Sequence, residues 1–399
     1  MKVLQICQKP PFPPVDGGAI AMNNVTQGLL NLGHQVKVIC VETPKHPSKK
    51  KDLPKNYLKQ TQFESVFVDT SIKIKAAFFN LFGKRSYNIE RFICEELETR
   101  IEDLLANGNF DVVILEGLFV APNYNTIRKA FRGKIILRAH NIEFKIWERM
   151  AENALNPFKK MYLNFLSRRL RAFEIKSFNR MDGICAMTEI DLKVIKELCP
   201  DVPAISSPSG YILAPQKLED EVIDSQAIFH IASMDWEPNI QALDWFLAHP
   251  WKIIKAENPT CKLYLAGRKM PERYFSLNDP QIIALGEVES AADFYSGKSI
   301  MIVPLLSGSG MRIKIIEGMA LGKAIVSTSV GAEGITYEDG KNILLADSVE
   351  KFAEKVSFLL KNESTQQKIG TNASNLIKNR YDNDEICKKM IDFITSIEN

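Results

Sequence analysis

The sequence predicts two doubly wound α/β units, each built on a parallel sheet, and three observations lead there. Short apolar runs of strand length alternate with segments of helical spacing, as in a parallel sheet covered by helices. The series starts at Val3 and starts again at Ile228. A chain of 399 residues also exceeds what one hydrophobic core ordinarily holds.

In the first series Val3-Leu-Gln-Ile-Cys7 reads as a buried strand. A proline-rich loop follows, and Asp16-Gly-Gly-Ala19 opens a helix with apolar positions Val25, Leu29, Leu30 and Leu32. Gly33 reads as the C′ glycine that ends it. Val36–Val41, Asp111–Leu115, Lys134–Leu137 and Gly183–Ala186 continue as strands. Pro203–Pro215, rich in Pro, Ser and Gly, reads as a hinge, which sets the expected domains at 1–205 and 206–383. In the second series the strands are Ile228–Ala232, Lys262–Ala266, Ile282–Leu285, Ser299–Val303 and Ala324–Ser327, with a helix from Asn239 to about Phe246. After Asp347 the spacing is helical to the end. Two such units imply a cleft, with ligands at the carboxyl ends of the strands.

A net charge of +3 is too small to argue for a nucleic-acid partner. Seven cysteines lie scattered without paired spacing, which reads as reduced, buried thiols and not as a zinc site or disulfide framework. No apolar run reaches transmembrane length and the N-terminus reads as a strand, so a cytoplasmic protein is expected.

The most informative stretch runs from Ser307 to Thr328. A strand leads into Ser307-Gly-Ser-Gly310, and Met311, Arg312, Ile313 and Lys314 follow into a helix carrying Glu317. Bare amides at a helix N-terminus favour an anion, and two cations in the first turn add to that. A nearby carboxylate suits ribose hydroxyls. The plainer alternative is an ordinary βαβ unit with a solvated basic face.

Glu317-Gly-Met-Ala-Leu-Gly-Lys-Ala-Ile-Val-Ser327 resembles the donor-binding motif of the retaining GT-B glycosyltransferases of family 4, the glycosyl transferases group 1. That motif has two glutamates separated by seven residues. The second lies near the nucleotide ribose, a role that carries onto Glu317. The first lies near the transferring sugar, and its position here is the uncharged Ser309. Ala232-Ser-Met-Asp-Trp-Glu-Pro-Asn239 resembles the start of the second domain in one branch of the family. Other members carry an Arg and a Lys there for the donor diphosphate, whereas this chain has Asp235 and Glu237. Arg312, Lys314 and Arg268 are therefore the candidates to replace that pair.

The resemblance implies two Rossmann-like domains facing across a cleft, with a last helix (about 384–399) returning to the first. It implies transfer of a sugar from a nucleotide-diphosphate sugar to a glycan or lipid-linked acceptor, without cofactor or metal. His140, at a strand's carboxyl end, corresponds to a family histidine near the sugar, and with Arg312 and Lys314 forms the expected catalytic set. Gly17, Gly18, Arg268, Gly308, Ser309, Gly310, Met311 and Glu317 are expected to bind donor. Asp16, Glu116, Arg138 and Asn141 are expected on the acceptor side. Asp382-Asn-Asp384 has metal-binding spacing but reads as a helix cap. The basic, aromatic stretches Lys73–Arg85 and Lys159–Arg171 fit either a solvated helix face or a peripheral contact with the inner membrane surface. Two other functions stay open: a nucleotide-sugar epimerase of the same fold, and an inactive nucleotide-sugar-binding subunit.

Overall fold

The computed structural model describes every residue except 49–50, 52, 72, 74–79, 81–85, 155, 213–222, 309 and 399. The contacts divide the chain into two units, Met1–Gly210 with Asn383–Asn399, and Tyr211–Asp382.

The first unit is a seven-stranded parallel sheet. Its strands are β1 (Lys2–Cys7), β2 (Gln35–Glu42), β3 (Glu64–Phe67), β4 (Val112–Glu116), β5 (Lys134–Ala139), β6 (Gly183–Ala186) and β7 (Ala204–Ser206). Their spatial order is β3-β2-β1-β4-β5-β6-β7. Both faces are apolar because β1 sends Leu4 and Ile6 into one core and Val3 and Cys7 into the other. Burial of each such side chain contributes roughly 1.5–3 kcal/mol. The helices that position the site are α1 (Gly17–Asn31), α2 (Glu143–Glu152) and α3 (Pro157–Phe178). Asp16 caps α1 by accepting the Ala19 amide at 2.9 Å, and Gly33 with φ +80 lies just past its end.

The second unit is a six-stranded parallel sheet of order β10-β9-β8-β11-β12-β13. Its strands are β8 (Asp224–Ile231), β9 (Lys262–Ala266), β10 (Ile282–Gly286), β11 (Lys298–Val303), β12 (Ala324–Ser327) and β13 (Leu344–Leu345). Here β11 splits its side chains in the same way, Ile300 and Ile302 to one core and Met301 and Val303 to the other. Helix α4 (Glu237–Ala248) follows β8, and α5 (Ile313–Ala320) joins β11 to β12. The last helix, α6 (Asn383–Ser396), belongs to the first unit and packs on α1. Gly28 makes that contact close, since a Cβ there would sit 2.4 Å from Cys387 Sγ.

In each sheet the strand order reverses once, between β1 and β4 and between β8 and β11. Loops leaving such strands diverge and open a crevice for ligand.

Two details differ from the sequence expectation. Ala204–Ser206, inside the expected hinge, is an edge strand paired with β6. Arg312 is the residue capping α5, not a member of its first turn. Of the basic stretch 73–85, residues 74–79 and 81–85 lie outside the described residues.

Candidate functional site

In the first unit, polar groups gather where β1, β4 and β5 end. Glu116 is fully buried and accepts from Gln5 Nε2 at 2.9 Å, Arg138 Nη1 at 2.9 Å and His140 Nε2 at 2.7 Å. Thr26 donates to Gln5 Oε1 at 2.7 Å, closing the network behind Gln5. Burial would raise the Glu116 carboxyl, but Arg138, then His140 and Gln5, bring it below its ordinary value. Burial pulls His140 below its ordinary value against the opposing pull of Glu116. The ion pair is therefore Arg138–Glu116, and the imidazole is neutral. The carboxylate assigns its proton to Nε2, which leaves Nδ1 as an acceptor.

Glu116 and Arg138, expected on the acceptor side, are placed behind His140. Both side chains have no exposed surface, so neither offers a polar atom to an acceptor. Their partner is His140. Asp16 is also committed, as the cap of α1 and in an ion pair with Lys9 at 2.5 Å. Burial would raise its carboxyl, yet Lys9 keeps it below the usual range. Gly18 lies against that lysine, since a Cβ would stand 2.8 Å from Lys9 Nζ. Asn141 is half-buried and hydrogen-bonds Glu143. Lys9, within the proline-rich loop, has no distinctive spacing to mark it in the sequence.

In the second unit three cations, on the loops after β9 and β11 and in the first turn of α5, each contact the segment that follows β8. Arg268 Nη2 lies 3.4 Å from both Ser233 Oγ and Asp235 Oδ2. Arg312 stacks its guanidinium on Trp236, 5.0 Å from the ring centroid, and donates from Nη1 to Gly310 O at 3.0 Å. Lys314 Nζ donates to Asn239 Oδ1 at 3.4 Å. Burial, with Arg312 nearby, lowers the Lys314 amine to about 7. Gly308 has φ +129, a backbone that disfavours any side chain. Gly310 is also left-handed, at φ +80. Met311 packs against the core under α5. The position expected on the sugar side, Ser309, lies outside the described residues.

Glu317 lies one turn into α5, and burial raises its carboxyl to about 7 despite a hydrogen bond to Tyr295. The Tyr295 hydroxyl also lies 3.3 Å from Lys314 O, so one buried tyrosine braces both groups. Tyr295 and Trp236 are the site neighbours that the sequence did not single out. Trp236 sat in a recognised segment without a role. Among the described residues no cluster of three or more His, Cys, Asp or Glu has metal-binding geometry.

Residues 225–362 match the family model described as glycosyl transferases group 1. The whole chain is similar to an uncharacterized 44.6 kDa protein in the cps region of Klebsiella pneumoniae, 23% identical over 96% of this chain and 97% of that one. Among solved structures it is similar to the sucrose-phosphate synthase of Thermosynechococcus elongatus, with a TM-score of 0.69 and 14% identity over 99% and 98% of the two chains. It is also similar to the Anabaena protein HepE in complex with UDP-glucose, with a TM-score of 0.63 and 11% identity over 99% and 100%. The fold is that of GT-B glycosyltransferases, and the second unit carries the group 1 match.

Proposed function

We propose that this chain is a retaining glycosyltransferase that moves a sugar from a nucleotide-diphosphate sugar to a hydroxyl of a glycan or lipid-linked acceptor. The observation that carries this reading is the set Arg268, Arg312 and Lys314 at the β8/β11 reversal, beside a glycine turn and with Glu317 on the same helix as Lys314. The diphosphate leaves with developing negative charge, so fixed cations and turn amides that meet it lower the barrier. Glu317 accepts from the ribose hydroxyls. His140 Nδ1 accepts from a hydroxyl of the transferring sugar, orienting it for attack by the acceptor on the face the diphosphate leaves. Gly17 and Gly18 present α1 amides to the donor.

Three cations supply the charge that a metal would otherwise bring, which supports a metal-independent reaction. Activity is then unchanged by EDTA, and a requirement for Mg²⁺ or Mn²⁺ would contradict this part. The Klebsiella relative's place in a cps region supports a role in cell-surface polysaccharide assembly at the cytoplasmic face. HepE's complex with UDP-glucose makes uridine diphosphate sugars the first donors to try.

The test is thermal-shift binding of UDP, GDP, ADP and CMP with their sugars, on wild type and Glu317→Ala. One nucleoside diphosphate stabilising the wild type and not the variant is the expected result. Absence of nucleotide binding by the folded wild type would overturn the donor-site reading; binding without any sugar transfer or donor hydrolysis would favour the inactive nucleotide-sugar-binding subunit.

A further inference from the structure

The segment Ser233–Asn239 contains no cation, yet in the second unit it touches all three cations of the candidate donor site. Asp235 takes Arg268, Trp236 takes Arg312 and Asn239 takes Lys314. Asn239 is itself fixed by donating from Nδ2 to Ser233 O at 2.8 Å. We propose that this segment is a positioning bracket for the diphosphate cations, with Trp236 as its principal member, acting through Arg312. The inference rests on the donor-site reading and adds the residues that hold its charges in place.

The physical case is strongest at Trp236. Its indole is 38% exposed while Arg312 is only 8% exposed, so the ring forms one wall of a partly dry slot for the guanidinium. The other wall is the glycine turn. A Cβ on Gly308 would stand 2.5 Å from Arg312 Nη2 and 2.7 Å from Trp236 Cη2. The guanidinium is thus clamped between an aromatic face and bare backbone, with Nη1 tied to Gly310 O. An arginine on a long flexible stem loses rotamer freedom when it grips a phosphate, and pre-stacking on a ring removes much of that cost. Cation–π attraction is worth most where the cation is desolvated. A buried arginine without its ring would swing away or draw in water, and the diphosphate would meet a less ordered charge.

The experiment measures affinity by calorimetry for the nucleoside diphosphate that binds wild type and for inorganic pyrophosphate. The proteins are wild type, Trp236→Phe, Trp236→Ala, Arg312→Met and the double variant Trp236→Ala/Arg312→Met, each first checked for native circular dichroism. Trp236→Ala should weaken both ligands by about tenfold, and Trp236→Phe by about twofold, since phenylalanine keeps the ring face. In the Arg312→Met background, Trp236→Ala should cause no further loss. Three results would overturn the inference while leaving the donor site standing. They are unchanged affinity in Trp236→Ala, a loss seen for the nucleotide but not for pyrophosphate, and a full additional loss in the double variant. The second would make Trp236 a base-stacking residue. If wild type binds neither ligand, the donor site and the bracket fall together.

Discussion

His140 keeps Nδ1 unprotonated because Glu116 holds the proton on Nε2, and Glu116 stays ionised because Arg138 is buried beside it. Replacing His140 by alanine should leave nucleotide binding intact and reduce turnover by about 100-fold, read by single-turnover kinetics. Glu116→Gln removes the charge that Arg138 needs, so denaturant unfolding should show a loss of about 3–5 kcal/mol. Lys314 gives a pH dependence of known sign. Its amine is held at about 7, so it is charged below neutrality and neutral above, where pairing with a diphosphate requires proton uptake. From pH 6.5 to 8.5 the wild type should lose affinity relative to Lys314→Arg, and a constant ratio would show that Lys314 does not meet the phosphates. The positions of His140, Lys314 and Glu317 were legible in the sequence, because each lies just after a strand or in the first turns of the helix that follows a glycine turn. That Glu116 and Arg138 form a buried charge pair was not legible, because burial of a charge pair is a property of packing and strands alone do not reveal it.

Glu174 on α3 shows the same limit at the scale of an element. It is fully buried and accepts the amides of Glu143 and Phe144 at 2.9 and 3.0 Å, capping α2 from a neighbouring helix. Burial, with Glu143 beside it, raises its carboxyl to about 8, and burial raises Glu143 to about 7. Folded protein then holds protons that the unfolded chain has released, so stability is fullest below about pH 4.5 for these groups and falls as pH rises through 7 to 8. Glu174→Gln should flatten that slope in pH-dependent denaturation. On α3, Phe158, Met161, Tyr162 and Phe165 are exposed at i, i+3, i+4 and i+7 spacing, with Phe158 77% exposed. No acid stands between Glu152 and Glu174, while Lys159, Lys160, Arg168, Arg169 and Arg171 do. That composition fits the second of the two alternatives raised by the sequence, a peripheral membrane contact. Phe158→Ser/Met161→Ser should abolish co-sedimentation with anionic vesicles without lowering the unfolding temperature, and retained sedimentation would assign the stripe elsewhere. The apolar positions of this helix were readable in sequence, but which of them stay exposed was not.

At the scale of the molecule the two sheets repeat one design, a parallel order that reverses beside the first strand of each unit. The alternation of strands and helices announced both sheets, because strands buried on two faces leave continuous apolar runs such as Ile300-Met-Ile-Val303. The edge strands β3, β7 and β13 were missed, since β7 and β13 have only three and two residues and β3, Glu64-Ser-Val-Phe67, has no continuous apolar run. What the sequence could not show at the donor site was the bracket, because Ser233–Asn239 and the three cations meet only when β8, β9 and β11 lie side by side. The central claim is that those cations hold a diphosphate. Calorimetric titration of wild type with a nucleoside diphosphate and with its monophosphate tests it most directly. The account predicts that the diphosphate binds at least about tenfold tighter, and that Arg312→Met/Lys314→Met removes the difference. Equal affinity for the two nucleotides, or a preference that survives in the double variant, would contradict it.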